Sequence, residues 1–278
     1  MNIKTISAIL LLALASMACG FSIDLPRRAQ TGPDVTDEIS VADPKSEETH
    51  LSLNFGAGEL KLSTGAEGLV EGTVLYNVKE LKPEVVENGS NIEIKQGNLD
   101  VIPPFNGMKN RWDLRLGSTP MELEIDAGAY DGNLELGGLA LKSLTVKDGA
   151  AHVDVSFSGP NLVEMSNLAY STGASEVTLT GLANANFSTF EFDSGAGSYT
   201  LDFSGELQRD ASVKVESGLS ELIIIVPEGV NATVRIEGGL TDINTGNGWS
   251  QSGSTYSHEG SGPTLTITVN MGAGSVTL

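Results

Sequence analysis

The chain has 278 residues, of which 40% are hydrophobic, but only 5% are aromatic and 33 are glycine. This balance favours a thin core of aliphatic side chains with frequent tight turns over a large globular enzyme. The formal net charge of -20 excludes nucleic acid as a natural partner and makes an anionic lipid surface repulsive. We expect a solvated acidic face, with a dedicated site for cations or cationic peptides as the alternative.

Residues 1–18 are typical of an export signal peptide, because Lys4 precedes an apolar stretch at residues 6–15 that is too short to span a membrane. The single cysteine, Cys19, follows Ser16-Met17-Ala18 and resembles the lipobox of bacterial lipoproteins. That resemblance implies palmitate or a similar acyl chain on Cys19, membrane lipid as a partner, and an extracytoplasmic location. Ordinary cleavage at the same bond is the alternative, but a free thiol at the first residue of a secreted protein is unusual.

Residues 19–48 carry three prolines, scattered charges and little periodicity. This composition is typical of a solvated linker, so we predict a lipidated tether that holds the folded part away from the membrane. A first β domain is predicted at residues 49–126, where alternation begins at Leu51 and Leu53 and is later interrupted by Pro83 and Pro103-Pro104. Its basic cluster of Lys109, Arg111 and Arg115 is interpreted as surface charge that offsets nearby acids.

From residue 127 to 278 one phrase recurs about every 22 residues. It consists of a glycine-containing turn followed by strict alternation, most clearly at residues 192–207, where Tyr199, Leu201 and Phe203 share one face. Two short strands and two turns fill each repeat, which leaves no room for a connecting helix. We therefore predict an all-β fold built as a single elongated β-solenoid-like stack, with a more irregular N-terminal part.

Two departures from the repeat indicate candidate contact surfaces. Residues 222–226 are all apolar, so Ile223 and Ile225 are expected to point outward, either into an exposed interface or under a covering loop. Residues 246–262 form a Gly- and Ser-rich insertion with Trp249, Tyr256 and His258. We interpret it as a binding loop, with a structureless insertion as the alternative. The chain ends on a predicted strand that would leave an unpaired edge unless a loop or partner subunit covers it.

No catalytic, phosphate-binding or calcium-binding motif is recognisable, and one cysteine with three histidines makes a closed zinc site improbable. We expect no catalytic residue, no metal and no cofactor, and hence no enzyme. Glu135, Asp154 and Asp202 occupy similar strand positions and could stack as an acidic ladder if counterions or hydroxyl side chains separate them.

The phrase FGAG at residues 55–58 and the phrase WDLRL at residues 112–116 resemble the toast-rack domain family of bacterial envelope proteins. The later repeats are similar to adhesin-like and cell-wall-active antibiotic response families. Together the two resemblances cover residues 49–278. They imply an all-β domain outside the cell, often tethered to a membrane and sometimes tied to envelope stress, and they bring no catalytic residues with them.

Three functions are consistent with these patterns. The first is a non-catalytic cell-envelope lipoprotein that acts as an adhesin-like binding module for an envelope glycan, peptide or protein. The second is an envelope-stress sensor or accessory protein that captures cationic peptides or antibiotics on its acidic face. The third is a carbohydrate-active β-helix enzyme. We favour the first and keep the second as the main alternative.

Overall fold

The computed structural model describes residues 27–46, 48–97, 101–102 and 106–278. The strands of the first half are β1 (Arg27–Arg28), β2 (Val35–Val41), β3 (Thr49–Thr64), β4 (Val70–Tyr76), β5 (Pro83–Asn88), β6 (Asn91–Gln96), β7 (Val101–Ile102), β8 (Asn110–Leu116) and β9 (Met121–Glu135). Those of the second half are β10 (Leu141–Asp148), β11 (Ala150–Ser156), β12 (Met165–Thr180), β13 (Phe187–Asp202), β14 (Ala211–Ile225), β15 (Gly229–Asn244), β16 (Trp249–Ser252), β17 (Thr255–His258) and β18 (Gly260–Thr277).

Two short 3-10 helices, Lys79–Leu81 and Leu182–Ala185, complete the regular structure of the described residues. Within those residues no helix has the length and apolar character that crossing a membrane requires. The all-β class predicted from the sequence is confirmed.

The repeats pair side by side as parallel strands in matching register. In space the order is β3, β9, then β10 with β11, then β12, β13, β14, β18 and β15. Each pairing places equivalent residues of neighbouring repeats together, as when Tyr199 of β13 lies beside Val177 of β12 and Leu222 of β14. The inward positions therefore form continuous columns of buried apolar side chains in one hydrophobic core.

A column of glycines explains why these strands can bend and still stack. A methyl group on each would lie 2.2–3.0 Å from the carbonyl oxygen of the glycine in the adjacent strand. Such contacts are too short for a side chain, so only glycine allows the backbones to approach at the bend. The column consists of Gly128, Gly149, Gly173, Gly195, Gly218, Gly272 and Gly239.

The first part of the fold extends this sheet sideways beyond β3. β8 pairs with the second half of β3, and β4 and β2 continue the sheet as antiparallel strands. Residues 35–41, which the sequence assigned to the tether, instead form β2, where Ile39 and Val41 are buried. The predicted signal peptide and the beginning of the tether lie outside the described residues.

The predicted boundary at residues 126 and 127 falls inside a strand. β9 runs across it without interruption, with Ile125 buried before it and Leu134 buried after it. Both residues belong to the same hydrophobic core cluster. After this boundary the sequence pattern repeats more regularly along the chain. β9 already shows the pattern that the later strands repeat.

The C-terminal strand does not lie at the end of the sheet, contrary to the expectation from the sequence. β18 pairs with β14 on one side and with β15 on the other, and Val276 is fully buried. The end position is taken by β15, followed by the hairpin β16–β17. Residues 245–259 include the hairpin, which lies on the outer side of β15, and the chain then returns as β18 between β15 and β14.

The glycine column predicts a large effect from a small substitution. For Gly195→Ala the added methyl group would lie 2.4 Å from the carbonyl oxygen of Gly173, so β12 and β13 must separate. We expect a loss of about 2 kcal/mol or more in the free energy of unfolding, measured by urea denaturation. The control is Gly159→Ala, whose methyl group meets its nearest atom at 3.9 Å and should cost little. Equal stabilities of the two variants would contradict the steric role of the column.

Candidate functional site

A groove follows the outer side of the bend. It consists of two hollows of about 600 Å³ and 590 Å³ that share Lys147 and Asp148. The first is lined by Asn54, Phe55, Gly56, Lys95, Gln96, Gly97, Asp126, Ala127, Lys147 and Asp148, and the second by Lys147, Asp148, Ser171, Thr172, Asp193, Ser194, Glu216, Ser217 and Asn270. Most lining side chains are polar, with Phe55 and Ala127 as apolar members at one end, and carboxylates outnumber ammonium groups.

The groove follows directly from the register of the strands. The residue two positions before the bend glycine points outward in every repeat, and equivalent residues lie about 4.8 Å apart in neighbouring strands. In spatial order this column contains Asn54, Asp126, Lys147, Ser171, Asp193, Glu216, Asn270 and Glu237. A ligand lying along the bend would therefore meet one acidic, amide, hydroxyl or ammonium group from each strand.

The charges of the groove are only partly balanced. Both lysines of the lining are already engaged by acids, since Lys147 binds Glu124 at 2.7 Å and Lys95 binds Glu93 at 3.1 Å. Lys214, which lies near Asp193, binds Glu216 at 2.6 Å. No ion pair of the described residues includes Asp193. Burial raises the pKa of Asp193, and repulsion from Glu216 raises it further, against the opposing effect of Lys214. The middle of the groove consequently favours a positive group.

Beneath the groove a network of hydroxyls fixes Asp148. One carboxylate oxygen accepts a hydrogen bond from the Tyr170 hydroxyl at 2.8 Å, and the other accepts from Thr172 and, at 3.3 Å, from Ser175. Burial raises the pKa of Tyr170, and the nearby Tyr130 and Asp148 raise it further. The Tyr170 hydroxyl therefore remains protonated and can donate its hydrogen bond. Asp148 therefore presents a rigid acceptor at the junction of the two hollows.

The acidic ladder predicted from the sequence is interrupted. Glu135 lies beside Ser156, and Ser156 lies beside Thr180, so hydroxyl residues follow the acid in its column. Asp154 belongs to another column, between Asn133 and Thr178. Burial tends to raise the pKa of Glu135, but hydrogen bonds from Ser156, the Gly137 backbone and Ser158 outweigh it and hold that pKa below its usual value. The interposed hydroxyls thus separate the like charges.

The Gly- and Ser-rich segment is a β-hairpin and not the loop expected from its composition. β16 and β17 pair with each other and β17 pairs with β15. Tyr256 and His258 are buried by this pairing, whereas Trp249 is half-buried against the His258 ring at a centroid distance of 5.3 Å. Only Trp249 of the three predicted contact residues therefore keeps part of its ring available on this side of the sheet.

The other predicted site residues have simpler positions. Leu222 and Ile224 point inward and are buried, while Ile225 is 44% exposed and Ile223 is half-buried. Cys19, the predicted lipidation site, lies outside the described residues. Within the part of the chain that the structure describes, no group of three or more His, Cys, Asp or Glu side chains is placed to hold a metal ion.

The three residues of the basic cluster all bind acids. Lys109 contacts Asp34 at 2.6 Å, Arg111 forms two hydrogen bonds with Glu59 at 2.7 and 2.8 Å, and Arg115 contacts Glu71 at 3.1 Å; these side chains are largely exposed. The interpretation of this cluster as charges that offset local acids is confirmed. Exposed pairs of this kind contribute little to stability and leave no free cationic clamp.

The two phrases that carried the family resemblance meet at the first bend. The Phe55 ring stacks on Trp112 at a centroid distance of 5.5 Å. Asn110 accepts a hydrogen bond from the Trp112 indole at 2.9 Å and donates one to the Ala57 carbonyl oxygen at 2.6 Å. A side chain at Gly58 would collide with the Asn110 carbonyl oxygen, which explains the second glycine of the phrase. These residues are structural, and they support the end of the groove at Phe55.

The charge imbalance in the groove predicts an unusual pH response for Asp193→Asn. Because the pKa of Asp193 is raised in the folded state, its ionisation destabilises the fold above that pKa, and the penalty disappears below about pH 4. We expect the variant to have a higher melting temperature than the wild type at pH 7 and the same one at low pH. Glu164→Gln should behave oppositely at pH 7, because Arg209 lowers the pKa of Glu164. A lower melting temperature of Asp193→Asn at pH 7 would contradict this account.

The comparisons place the chain in a family. Residues 30–180 match the family described as the N-terminal domain of toast_rack, DUF2154, and no curated protein matches the chain. A solved structure of a provisionally named cell adhesion protein from Clostridium sporogenes has 20% identity and a TM-score of 0.48, covering 88% of this chain and 98% of that one. A provisionally named adhesin from Bacteroides fragilis has 11% identity and a TM-score of 0.40, covering 90% and 98%. A provisionally named lipid-binding protein from Parabacteroides distasonis has 12% identity and a TM-score of 0.41, covering 91% and 100%. The family match extends beyond half of the chain, and the protein therefore belongs to the toast_rack N-terminal domain family.

Proposed function

We propose that this protein is a non-catalytic, adhesin-like binding module of the bacterial cell envelope. The observation that carries the proposal is the continuous groove along the bend, where one outward side chain from each strand faces the same ligand path. Carboxylate, amide and hydroxyl groups at regular spacing suit a chain-like ligand with repeating polar groups, such as an envelope glycan. The in-register pairing also favours one elongated stack, which would display this path over several repeats.

The proposed location is outside the membrane, with acyl chains on Cys19 as the anchor. Residues 1–18 have the charge and hydrophobicity of an export signal, and Cys19 stands where cleavage would expose it. Residues 20–26 would then connect the anchor to β1, a shorter tether than the sequence suggested. One acyl chain gives only weak membrane binding, so stable anchoring requires more than one chain on this residue.

Capture of cationic groups is the second candidate function. The observation in its favour is Asp193, a carboxylate with a raised pKa and acidic neighbours at the centre of the groove. The net charge of -20 would steer cationic peptides toward this surface. A glycan that carries amino groups would satisfy both candidates, because its hydroxyls and its ammonium groups find partners in the same lining.

The anchor is tested by labelling. Bacteria that express the full chain are fed tagged palmitate, and the wild type is compared with Cys19→Ala. We expect label on the wild type and in the membrane fraction, sensitivity to globomycin, and loss of both label and membrane association in the variant. A labelled Cys19→Ala chain, or an unlabelled wild type, would contradict lipid attachment at this residue.

The groove is tested with two oligosaccharides of equal length, a cationic chitosan and its neutral N-acetylated form, by calorimetry at about pH 6. A glycan-binding groove should bind both, whereas simple cation capture should bind only chitosan and weaken steeply with salt. Asp193→Arg places a long cation in the groove and should weaken chitosan binding by about tenfold or more.

The matched control is Asp154→Arg, an exposed acid in another outward column. It makes the same change in net charge, so its binding should stay within about twofold of the wild type if the groove is the site. Equal losses in both variants would show a nonspecific effect of charge, and no binding of either oligosaccharide to the wild type would remove glycan recognition from the proposal.

A further inference from the structure

The second half of β15 is an open edge. Residues 240–244 pair with β18 on one side, from Leu240 beside Ala273 to Asn244 beside Thr277. On the other side β17 covers only Ala232 to Arg235, and the last contact of the hairpin is the hydrogen bond from the Ile236 N–H to the Ser254 carbonyl oxygen. Among the described residues, no strand pairs with the outer side of residues 240–244. An edge of this kind can accept an additional strand.

The inward side chain of this edge is incompletely covered. Ile243 continues the column of Val177, Tyr199, Leu222 and Val276, all of which are at most 1% exposed. Ile243 itself is only half-buried, because its column ends there. An added strand with an apolar side chain at the equivalent position would complete the column and remove this surface from water.

The bend beside the edge is also apolar. The position after the bend glycine is alanine in six repeats, but it is leucine at Leu219 and Leu240, which are 63% and 82% exposed. Both lie next to Ala273, so they flank the same small residue on the outer side of the bend. Two large exposed side chains at this place form a patch that continues from the open edge.

The charges near this edge indicate which kind of strand it can bind. Residues 236–278 contain no lysine or arginine, and Asp242 points outward in the middle of the edge. A second copy paired antiparallel about this position would bring two Asp242 carboxylates together, which is unfavourable. A strand with basic residues on its outward face would instead pair with Asp242, because Glu237 before the bend is already bound to Arg235 at 2.6 Å.

We propose that residues 240–244 bind an extended peptide segment in which basic and apolar residues alternate, added as an extra strand beside β15. Its apolar side chains cover Ile243, and its basic side chains lie on the outward face beside Asp242 and Leu240, where their methylene groups contact the leucine. The peptide backbone completes the sheet through hydrogen bonds to the free N–H and carbonyl groups of this edge. This site is separate from the groove and does not depend on the function proposed for it.

The test uses peptides of about eight residues and the chain from residue 27 onward, measured by fluorescence anisotropy at moderate salt. The probe alternates lysine and valine, a second peptide alternates glutamate and valine, and a third is the lysine peptide with prolines at two central valine positions. We expect the lysine peptide to bind, the glutamate peptide not to bind, and the proline peptide to bind about tenfold more weakly or not at all, since proline cannot donate to the sheet.

Variants then locate the site. Asp242→Lys should weaken the lysine peptide by about tenfold or more and allow the glutamate peptide to bind. The matched control is Glu176→Lys, which lies in the same outward column but at β12, four strands from β15 in the sheet. It makes the same charge change and should leave binding within about twofold. Asp193→Arg, which blocks the groove, should likewise leave it unchanged.

Several outcomes would overturn the proposal. Equal binding of the lysine and proline peptides would indicate charge attraction without strand pairing. Equal losses in Asp242→Lys and Glu176→Lys would show that the edge is not the site. A concentration-dependent dimer in sedimentation experiments, lost in Leu240→Asp while the wild type ignores all three peptides, would make a second copy of the chain the occupant.

Discussion

The fold depends on the close contact of backbones at the glycine column. A strand that must bend sharply and still lie in register beside its neighbours cannot carry a side chain at the bend, because a methyl group at these positions would lie 2.2–3.0 Å from the next carbonyl oxygen. Once that constraint is met, neighbouring strands pair in matching register on both sides of the bend. The columns of buried side chains, the outward columns and the groove all follow from this single contact.

Matching register can bring like charges close together, and at several places the sequence separates them with residues of another kind. Stacking equivalent residues about 4.8 Å apart brings like charges together in any column that repeats an acid. Ser156 and Thr180 follow Glu135 in its column, and Lys147 follows Asp126 in the groove. Between Asp193 and Glu216 no such residue intervenes, and burial together with that proximity raises the pKa of Asp193. The groove is therefore the place where the fold leaves repulsion unrelieved, which is a common property of binding sites.

Alternation in the sequence predicts most of the strands and faces, because an inward column requires an apolar residue at every second position. Leu222 inward and Ile225 outward follow from this rule alone. The order of the last strands could not be predicted, since repeats with the same pattern are equivalent partners and nothing in the periodicity distinguishes β15 from β18 as the neighbour of β14. The groove could not be predicted for the same reason, because the residues that form its column can be identified only when the spatial order of the strands is known. The burial of Tyr256 and His258 could not be predicted, because composition does not reveal that β17 pairs with β15.

The position of β18 determines which part of the sheet edge remains unpaired. If the chain had ended at the edge, its last residues would have been free to fray and the edge would have been poorly defined. Instead β18 is held between two strands, and it fixes β15 from residue 240 to 244 along one side only. The hairpin protects the half of β15 before the bend, whereas the half after it exposes Leu240 and carries neither a proline nor a lysine. Natural edge strands are usually protected by charge or by proline, and in residues 240–244 Asp242 alone has this role. It disfavours pairing with a second copy of the chain and leaves the edge open to a strand with basic residues.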